Sequence, residues 1–458
     1  MVTSAVRLKL SALQGDPGFR LGPRRRHLPP PMGLQIDDLD SLERLAEMGF
    51  QWDSPRGILV RRVEFPVKAL HLSVDRLEWQ SLRGLSATVP TGGPLSLLSF
   101  DLETTGLQRG TGTVPFLYGW ASLSGDCAAV VLEQWLLPDL GQEQPLVRAA
   151  LDRMRDASLL ITYNGSSYDL PMLKSRMVMA GVDQAWPATP HLDLLPVVRR
   201  LFRHRMERCT LRAVEQRLLH QQREGDLPGR EAPERYWRFL ETRDPEPLQD
   251  VINHNQQDVL SLLGVLERLA RHLELDGPLP TDWLSLGRFI EERGDLEGAG
   301  AAYLRAEAVS PSPLDRAAAL RRGRLLRRQG RSLEAIEVWR TIWERWQDPE
   351  AAEAICVDQE HRQRDLEAAL QTARAALREA PVGWDQRFAR RIWRLQARLG
   401  PSAGASPPLR SLNVEGGVDR PWVGWLPGGE SYEAWLALRR GRRVSGVRRG
   451  PQSEVRVG

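Results

Sequence analysis

Two acidic residues directly follow an apolar run in the N-terminal half of the chain. The run LSLLSF, residues 95–100, predicts a buried strand, because short apolar runs closed by turn residues usually form one. Asp101 and Glu103 come next, and since side chains alternate along a strand, both project from the same side. Two such carboxylates with no basic residue nearby favour a hard divalent metal ion. The alternative is a helix cap beside a solvated strand edge.

Acidic residues recur at two further places. Asp169, in TYNGSSYDLPMLKSR, begins a predicted helix after another apolar run, where it could also be only an N-cap. Asp258 follows His254 by four residues on a long predicted helix, 248–273, which puts both side chains on one face. Asp193, in HLDLLPVVRRLF, is interpreted as a helix cap or as a support for a site residue.

These four carboxylates come from three separate segments, and together they can hold two divalent ions, Mg²⁺ or Mn²⁺, about 4 Å apart. One ion would lower the pKa of a water that attacks a phosphodiester, and the other would stabilise the leaving 3′ oxygen. His254 could accept the proton of that water, since imidazole titrates near the working pH. The pattern therefore predicts a metal-dependent nuclease.

The predicted elements around these residues form an α/β domain with a mixed sheet flanked by helices. A hairpin signal, Ser124-Gly125-Asp126, separates two strand-like runs and predicts that three consecutive strands are antiparallel. An aromatic cluster on a later helix (Tyr236, Trp237 and Phe239) is interpreted as core. The predicted segments are strands at 114–123, 127–137 and 159–163 and helices at 38–50, 144–154, 210–219, 233–240 and 248–273.

Beyond Pro280 the sequence changes to Ala/Leu/Arg/Glu-rich helices with an internal repeat. Markers at Gly294, Gly330 and Gln363-Arg364 recur at intervals of 36 and about 34 residues. Paired helices with that period are typical of tetratricopeptide repeats, and a non-repetitive helical bundle is the alternative. The third copy lacks the glycine.

The two ends of the chain differ from the segments between them. The first segment, with Arg24–Arg26 and Pro29–Pro31, is predicted to be a disordered arm, and the alternatives are a basic arm that binds nucleic acid or a true start at Met32. An arginine-rich stretch after Pro401 predicts a disordered tail that could help hold anionic polymers. The predicted organisation is a basic, proline-rich arm at 1–33, a helix and strands attached to the core at 34–92, the catalytic domain at 93–275, helical repeats at 281–400 and the tail at 401–458.

Composition restricts the class of protein. The chain has 458 residues, which predicts two or three domains, and a formal net charge of +4. Its cations are almost all arginine, with only three lysines, so arginine clusters alone are weak evidence for nucleic-acid binding. Three scattered cysteines form no disulfide framework and no metal-spaced pair, which favours the cytoplasm. No apolar run is long enough for a membrane span.

The three acidic segments, FDLETTG, YNGSSYDLPML and HNQQDVLSL, resemble the exonuclease motifs of the ribonuclease H-like DEDD superfamily. The sequence is most similar to the YprB-like bacterial branch, whose members are predicted exonucleases, often with C-terminal tetratricopeptide repeats. The resemblance covers about 52–273. It implies a ribonuclease H-like core and 3′→5′ hydrolysis that releases nucleoside monophosphates.

The resemblance also implies roles for single residues. Asp101, Glu103, Asp169 and Asp258 correspond to the metal-binding acids, and His254 corresponds to the general base. Well-studied subtypes place a histidine five residues before the last aspartate or a tyrosine four before it; here those positions hold Asn253 and His254. The predicted substrate-binding residues are Thr104 and Thr105 near the scissile end and Asn164 and Tyr168 beside the terminal nucleotide.

Two other functions are compatible with the sequence. An endonuclease on the same core would release oligomers instead of mononucleotides. An inactive scaffold would use its repeats to recruit a protein partner, although an inactive site has no reason to keep four clustered acids. The expected partners are nucleic acid, DNA or RNA, bound by its 3′ end, and a possible protein on the repeats, with no membrane.

Overall fold

The computed structural model describes residues 39–74, 77–93, 95–106, 112–223, 225, 227–274, 282–308 and 313–400. The described residues up to Leu399 pack as one compact unit. The arm predicted at 1–33 and the tail predicted at 401–458 lie outside the described residues. Among the described residues, no helix is long and apolar enough to cross a membrane.

In the part of the chain that the structure describes, seven strands form a mixed sheet at the centre of the N-terminal part, in the order β1-β2-β5-β4-β3-β6-β7. The hairpin predicted at Ser124–Asp126 is confirmed, since β4 pairs antiparallel with both β5 and β3. The next strand, β6, pairs parallel with β3, as expected for a mixed α/β sheet. The strands are β1 (Phe50–Asp53), β2 (Ile58–Pro66), β3 (Leu97–Thr104), β4 (Pro115–Leu123), β5 (Ala129–Leu136), β6 (Leu159–Thr162) and β7 (His191–Asp193).

Strand β3 differs from its predicted extent. Asp101 and Glu103 lie inside the strand, because its antiparallel pairing with β4 continues to Thr104, with a register shift after Glu103. The strand therefore begins later, at Leu97, and ends later than the apolar run alone predicted. Leu95, the first residue of that run, is 37% exposed.

Helices cover both faces of the sheet. Alternate residues of β3 belong to different hydrophobic cores. Leu97 packs with α5 (Leu194–Phe202) and α8 (Gln249–Leu273). Leu98 and Phe100 pack with α3 (Glu143–Arg155) and α7 (Ala232–Thr242). These helices therefore hold β3 from both sides. The helices of this part are α1 (Leu39–Glu47), α2 (Trp79–Arg83), α3 (Glu143–Arg155), α4 (Asp169–Met179), α5 (Leu194–Phe202), α6 (Leu211–Val214), α7 (Ala232–Thr242) and α8 (Gln249–Leu273).

Two predictions for these helices need correction. The helix predicted at 210–219 is α-helical only over α6, and the π-helical turn Glu215–Leu219 completes it. In α7, Tyr236 and Phe239 are buried core residues as predicted, but Trp237 is 43% exposed. One aromatic of the three faces away because consecutive helix positions point about 100° apart.

The C-terminal part is helical, and each helix packs against the next. Three residues in the connections between these helices have a positive φ: Gly294 precedes the helix Leu296–Ala308, Gly330 precedes the helix Ser332–Trp346, and Arg364 precedes the helix Leu366–Glu379. These are the positions of the repeat markers, and Arg364 adopts the left-handed conformation in the copy without glycine. The helices are α9 (Trp283–Glu291), α10 (Leu296–Ala308), α11 (Pro313–Arg328), α12 (Ser332–Trp346), α13 (Pro349–Asp358), α14 (Leu366–Glu379) and α15 (Trp384–Leu399).

Packing within the helical part also repeats. Gly287 of α9 and Gly323 of α11 are 36 residues apart, and each packs so closely on an aromatic ring, of Tyr303 and Trp339, that a Cβ atom would overlap it. The first of these helices share a hydrophobic core with α5 and α8. The helical part is therefore built directly onto the α/β part.

Candidate active site

Strand β3 presents Asp101 and Glu103 on the face that α8 covers. Ser99 shows this orientation, because its hydroxyl donates to the Val259 carbonyl of α8 at 2.8 Å, and residues 99, 101 and 103 share one side of the strand. Asp101 is partly buried and Glu103 is 8% exposed. The sheet therefore carries both acids into a partly enclosed space beneath the helix.

Asp169 is the first residue of α4 and joins this group. Its N-terminal neighbour Tyr168 is the N-cap, so Asp169 is not the cap of its own helix. Burial raises the pKa of Asp169 to about 7, although hydrogen bonds from its own N–H and from the N–H of Leu102 act in the opposite direction. The hydrogen bond from Leu102 places the Asp169 carboxylate beside β3, between the levels of the two strand acids.

Helix α8 brings Asp258 and His254 to the same place. They lie one turn apart, with His254 Nε2 3.7 Å from Asp258 Oδ2. Asp101 interacts with acids from all three segments. Burial raises the pKa of Asp101 well above its ordinary value, and the charges of Asp258, Asp169 and Glu103 raise it further. A hydrogen bond from Asn255 lowers the pKa of Asp101 and so opposes this rise. Four carboxylates thus act on one another within a buried region.

An arginine that the sequence did not single out pairs with this cluster. Arg223 donates to Asp258 Oδ1, and its Nη1 lies 3.3 Å from His254 Nδ1. The fully buried Glu215 accepts from Arg223 Nε and Nη2, each at 2.6 Å. Arg223 lies in a segment with Gly and Pro turn residues, so no periodicity marked it as part of a site.

The predicted substrate-binding residues differ in their surroundings. The Thr104 hydroxyl lies 3.2 Å from the Tyr168 hydroxyl, and both donate to the Gly106 carbonyl, at 2.8 and 3.1 Å. The Thr105 hydroxyl accepts from the Val114 N–H at 2.9 Å. Thr104 and Tyr168 are therefore joined at the end of β3.

Asn164 lies in the loop that leads to Asp169. It adopts a positive φ of 68°, and its N–H donates to Asp193 Oδ1 at 2.8 Å. Asp193 also accepts from Ser166 and from Leu195 N–H, and the latter bond caps α5. The contact with Leu195 confirms the interpretation of Asp193 as a cap, and the contacts with Asn164 and Ser166 join it to the loop before Asp169.

The residues present suit a divalent metal ion in their chemistry. All four acids offer oxygen, the donor that Mg²⁺ and Mn²⁺ prefer, and their mutual repulsion is what a cation would relieve. Among the residues that the structure describes, no three His, Cys, Asp or Glu side chains converge closely enough to hold one ion. Asp258 Oδ1 faces the guanidinium of Arg223.

Comparison with known proteins agrees with the fold. A family model described as the RNase_H superfamily matches residues 98–270, from β3 through most of α8. Together with the mixed sheet and its flanking helices, this match defines the class: the chain has an RNase H-like, nuclease-type fold. The predicted fold class is thereby confirmed.

A curated relative gives the narrower family. "Uncharacterized protein YprB" of Bacillus subtilis (strain 168) is 31% identical over 388 residues, covering 80% of this chain and 90% of that protein. The chain belongs to the YprB family. Among solved structures, the family B DNA polymerase from the hyperthermophilic archaeon Pyrobaculum calidifontis is similar with a TM-score of 0.33 and 18% identity, over 48% of this chain and 30% of the polymerase chain.

Proposed function

We propose that this chain is a metal-dependent nuclease that hydrolyses phosphodiester bonds in the 3′→5′ direction and releases nucleoside monophosphates. One observation carries the proposal: the charges of Asp258, Asp169 and Glu103 all raise the pKa of Asp101. Acids from three separate segments therefore lie near enough to repel one another. Arg223 offsets the charge of Asp258, and a bound cation would relieve the repulsion among the acids.

Asp101, Glu103, Asp169 and Asp258 are proposed to hold two divalent ions, Mg²⁺ or Mn²⁺. When bound, the ions supply a water of lowered pKa and neutralise charge at the leaving 3′ oxygen. The protein contributes the arrangement of donors: β3 and the start of α4 hold three acids on the sheet, and α8 brings the fourth from above. The positions of the acids therefore depend on how α8 packs against the sheet.

His254 is proposed to accept the proton of the attacking water. Its Nδ1 faces Arg223 Nη1 at 3.3 Å, and its Nε2 faces Asp258 Oδ2 at 3.7 Å. To act as the base, the imidazole needs a ring nitrogen with an available lone pair. With its hydrogen on Nε2, the imidazole offers that lone pair at Nδ1, so Arg223 must withdraw from Nδ1 before the proton of the water can be accepted there.

Thr104, Thr105, Asn164 and Tyr168 are proposed to contact the terminal nucleotide. The paired hydroxyls of Thr104 and Tyr168 support this role, because they lie on the segments that carry Glu103 and Asp169. A substrate held by them would place its end beside the acids. We further propose that the nuclease domain spans 93–275, that 281–400 are tetratricopeptide-like repeats for a protein partner, and that the protein acts in the cytoplasm.

The test is a time course on single-stranded DNA and RNA labelled at the 3′ or the 5′ end, with Mn²⁺, Mg²⁺ or EDTA. The expected result is metal-dependent shortening from the 3′ end, abolished in Asp101→Asn and Asp258→Asn. Asp183→Asn is the matched control, since Asp183 is an exposed aspartate outside the site. Internal cuts would identify an endonuclease instead.

Absence of cleavage with every metal and substrate would contradict the proposal. The inactive scaffold then becomes the better reading. His254→Ala refines a positive result: loss of a general base lowers kcat by about 10²–10⁴-fold. A His254→Ala variant with unchanged kcat would remove His254 from the mechanism and leave the carboxylates in it.

A further inference from the structure

A row of polar side chains crosses four neighbouring strands beneath α8 and ends at Asp101. In the register of the sheet, Asp101 is opposite Gly119, Gly119 is opposite Gln134, and Gln134 is opposite Arg61. Gly119 leaves a gap in this row, and Asn255 of α8 fills it so closely that a Cβ atom on Gly119 would overlap the Asn255 amide. Asn255 thereby joins Gln134 to Asp101 across this gap.

Hydrogen bonds connect the row from one end to the other. Arg61 Nη1 donates to Gln134 Oε1 at 2.6 Å, and Gln134 Nε2 donates to Asn255 Oδ1 at 3.0 Å. Asn255 Nδ2 then donates to Asp101 Oδ2 at 3.1 Å. Gln134 and Asn255 are both 0% exposed, so water does not compete for these bonds.

Chemistry allows only one direction for this chain of bonds. A guanidinium can only donate, so the Gln134 atom that faces Arg61 must be its oxygen. The Gln134 nitrogen also donates to the Ile252 carbonyl at 2.8 Å, which holds the amide in the same orientation. The Asn255 atom that faces Gln134 must then be its oxygen, and its N–H₂ is left pointing at Asp101.

We propose that Asn255, Gln134 and Arg61 form a positioning unit that orients the Asp101 carboxylate for its metal ion. The unit rests on the proposed function and extends it. Arg61 lies on β2, outside the residues 98–270 that match the RNase_H superfamily model. The N-terminal strands therefore contribute to the site as well as to the sheet.

The decisive variant is Gln134→Glu, which keeps the shape of the side chain and gains an ion pair with Arg61. A carboxylate cannot donate to Asn255, so the Asn255 amide must turn its N–H₂ toward residue 134 and its oxygen toward Asp101. The Asn255 side-chain oxygen then faces the Asp101 carboxylate oxygen, and the hydrogen bond between these two residues is lost. Gln256→Glu is the matched control, because Gln256 also accepts from Arg61, at 3.0 Å, but neither Gln134 nor Asp101 depends on it.

The measurements are Mn²⁺ affinity by calorimetry or by electron paramagnetic resonance, the kcat and KM of cleavage, and Tm. We expect Gln134→Glu to weaken Mn²⁺ binding and lower kcat by about 10–100-fold, the usual effect of losing an outer partner of a metal ligand. KM for nucleic acid stays near the parent value, whereas Tm falls, because the new carboxylate also loses the bond that Gln134 Nε2 donates to the Ile252 carbonyl. Gln256→Glu behaves as the parent in all of them.

The outcomes separate this inference from the proposed function. If the parent binds Mn²⁺ and cleaves nucleic acid, and Gln134→Glu does both equally well, the positioning unit is wrong and the nuclease stands. If Gln134→Glu weakens Mn²⁺ binding but the parent cleaves nothing, the positioning unit stands and the nuclease is wrong. A parent that binds no Mn²⁺ overturns both.

A second variant decides the case in which Gln134→Glu does not fold. Arg61→Met removes the charge at the start of the row and leaves both amides in place. Because the Ile252 carbonyl still orients Gln134, we expect a several-fold loss of Mn²⁺ affinity, smaller than the loss in Gln134→Glu. Unchanged Mn²⁺ affinity in folded Arg61→Met would overturn the role of Arg61.

Discussion

Arg223 determines where His254 carries its proton. Arg223 Nη1 lies 3.3 Å from His254 Nδ1, and because a guanidinium has no acceptor, Nδ1 must accept. The neutral imidazole then carries its hydrogen on Nε2, the nitrogen that lies 3.7 Å from Asp258 Oδ2. One arginine thus sets the tautomer of the proposed base and pairs with a proposed metal ligand.

Removing Arg223 is expected to destabilise the fold through Glu215. Arg223→Met leaves the fully buried Glu215 carboxylate without its two guanidinium bonds, and breaking a buried ion pair from one side costs about 3–5 kcal/mol. Urea unfolding measures the loss. The double variant Glu215→Gln, Arg223→Met should recover most of it, because no buried charge is then left unpaired. Arg217→Met, at an exposed neighbouring arginine, is the control, and equal losses in both single arginine variants would contradict the argument.

Stability should depend on pH through Asp169. Burial raises the pKa of Asp169 in the folded state to about 7, from an ordinary value of 3.8. Between these values the folded protein holds a proton that the unfolded chain has lost. The free energy of unfolding therefore falls as pH rises from about 4 to about 7, by on the order of 4 kcal/mol.

Asp169→Asn tests this pH dependence with EDTA present. The variant has no group to titrate there, so its stability advantage over the parent should grow from pH 4 to pH 7 and then stay constant. Asp183→Asn should differ from the parent by a constant amount. A parent and an Asp169→Asn variant whose unfolding free energies run parallel over this range would show that Asp169 does not titrate as argued.

Metal binding should appear as thermal stabilisation. A ligand that binds only the folded state adds about 3 kcal/mol at a hundred times its dissociation constant. Mn²⁺ at increasing concentration should therefore raise the Tm of the parent, and EDTA should reverse the rise. Asp101→Asn should show little of it, whereas Asp183→Asn should match the parent. An equal rise in Asp101→Asn would place the ion elsewhere.

Asp193 is expected to act on the site through the loop before Asp169. Its carboxylate accepts from the N–H of Asn164 at 2.8 Å and of Leu195 at 3.1 Å, and from Ser166. Asp193→Ala removes the acceptor of these donors, which lowers the free energy of unfolding by about 1–3 kcal/mol. It also removes the contacts that hold the backbone leading to Asp169. We expect lower Mn²⁺ affinity and slower cleavage together with a lower Tm.

Thr210→Ala is the control for that prediction. Thr210 caps α6 by accepting from the Ala213 N–H at 3.2 Å, so its loss costs about 1 kcal/mol without touching the site. It should lower Tm and leave Mn²⁺ affinity and kcat unchanged. If Asp193→Ala does no more than Thr210→Ala, Asp193 is only a cap.

Local spacing was sufficient to predict much of the site. Alternation along a strand placed Asp101 and Glu103 on one side, and a four-residue interval placed His254 and Asp258 on one helix face. These geometries depend on neighbours in the sequence, so they follow from it directly. The end of β3 did not follow, because the pairing of Glu103 and Thr104 depends on their register with β4, which apolar periodicity does not report.

The partners of these residues could not be predicted in that way. Arg223 meets Asp258 across 35 residues, and Gln134 meets Asn255 across 121. A glutamine on a strand and an asparagine on a helix look like surface residues until the fold buries both beside Gly119. The sequence by itself determined the acids, the mixed α/β plan and the helical C-terminal part; only the tertiary structure decided which arginine and which amides act on those acids, because contacts between distant segments depend on how the helices pack on the sheet.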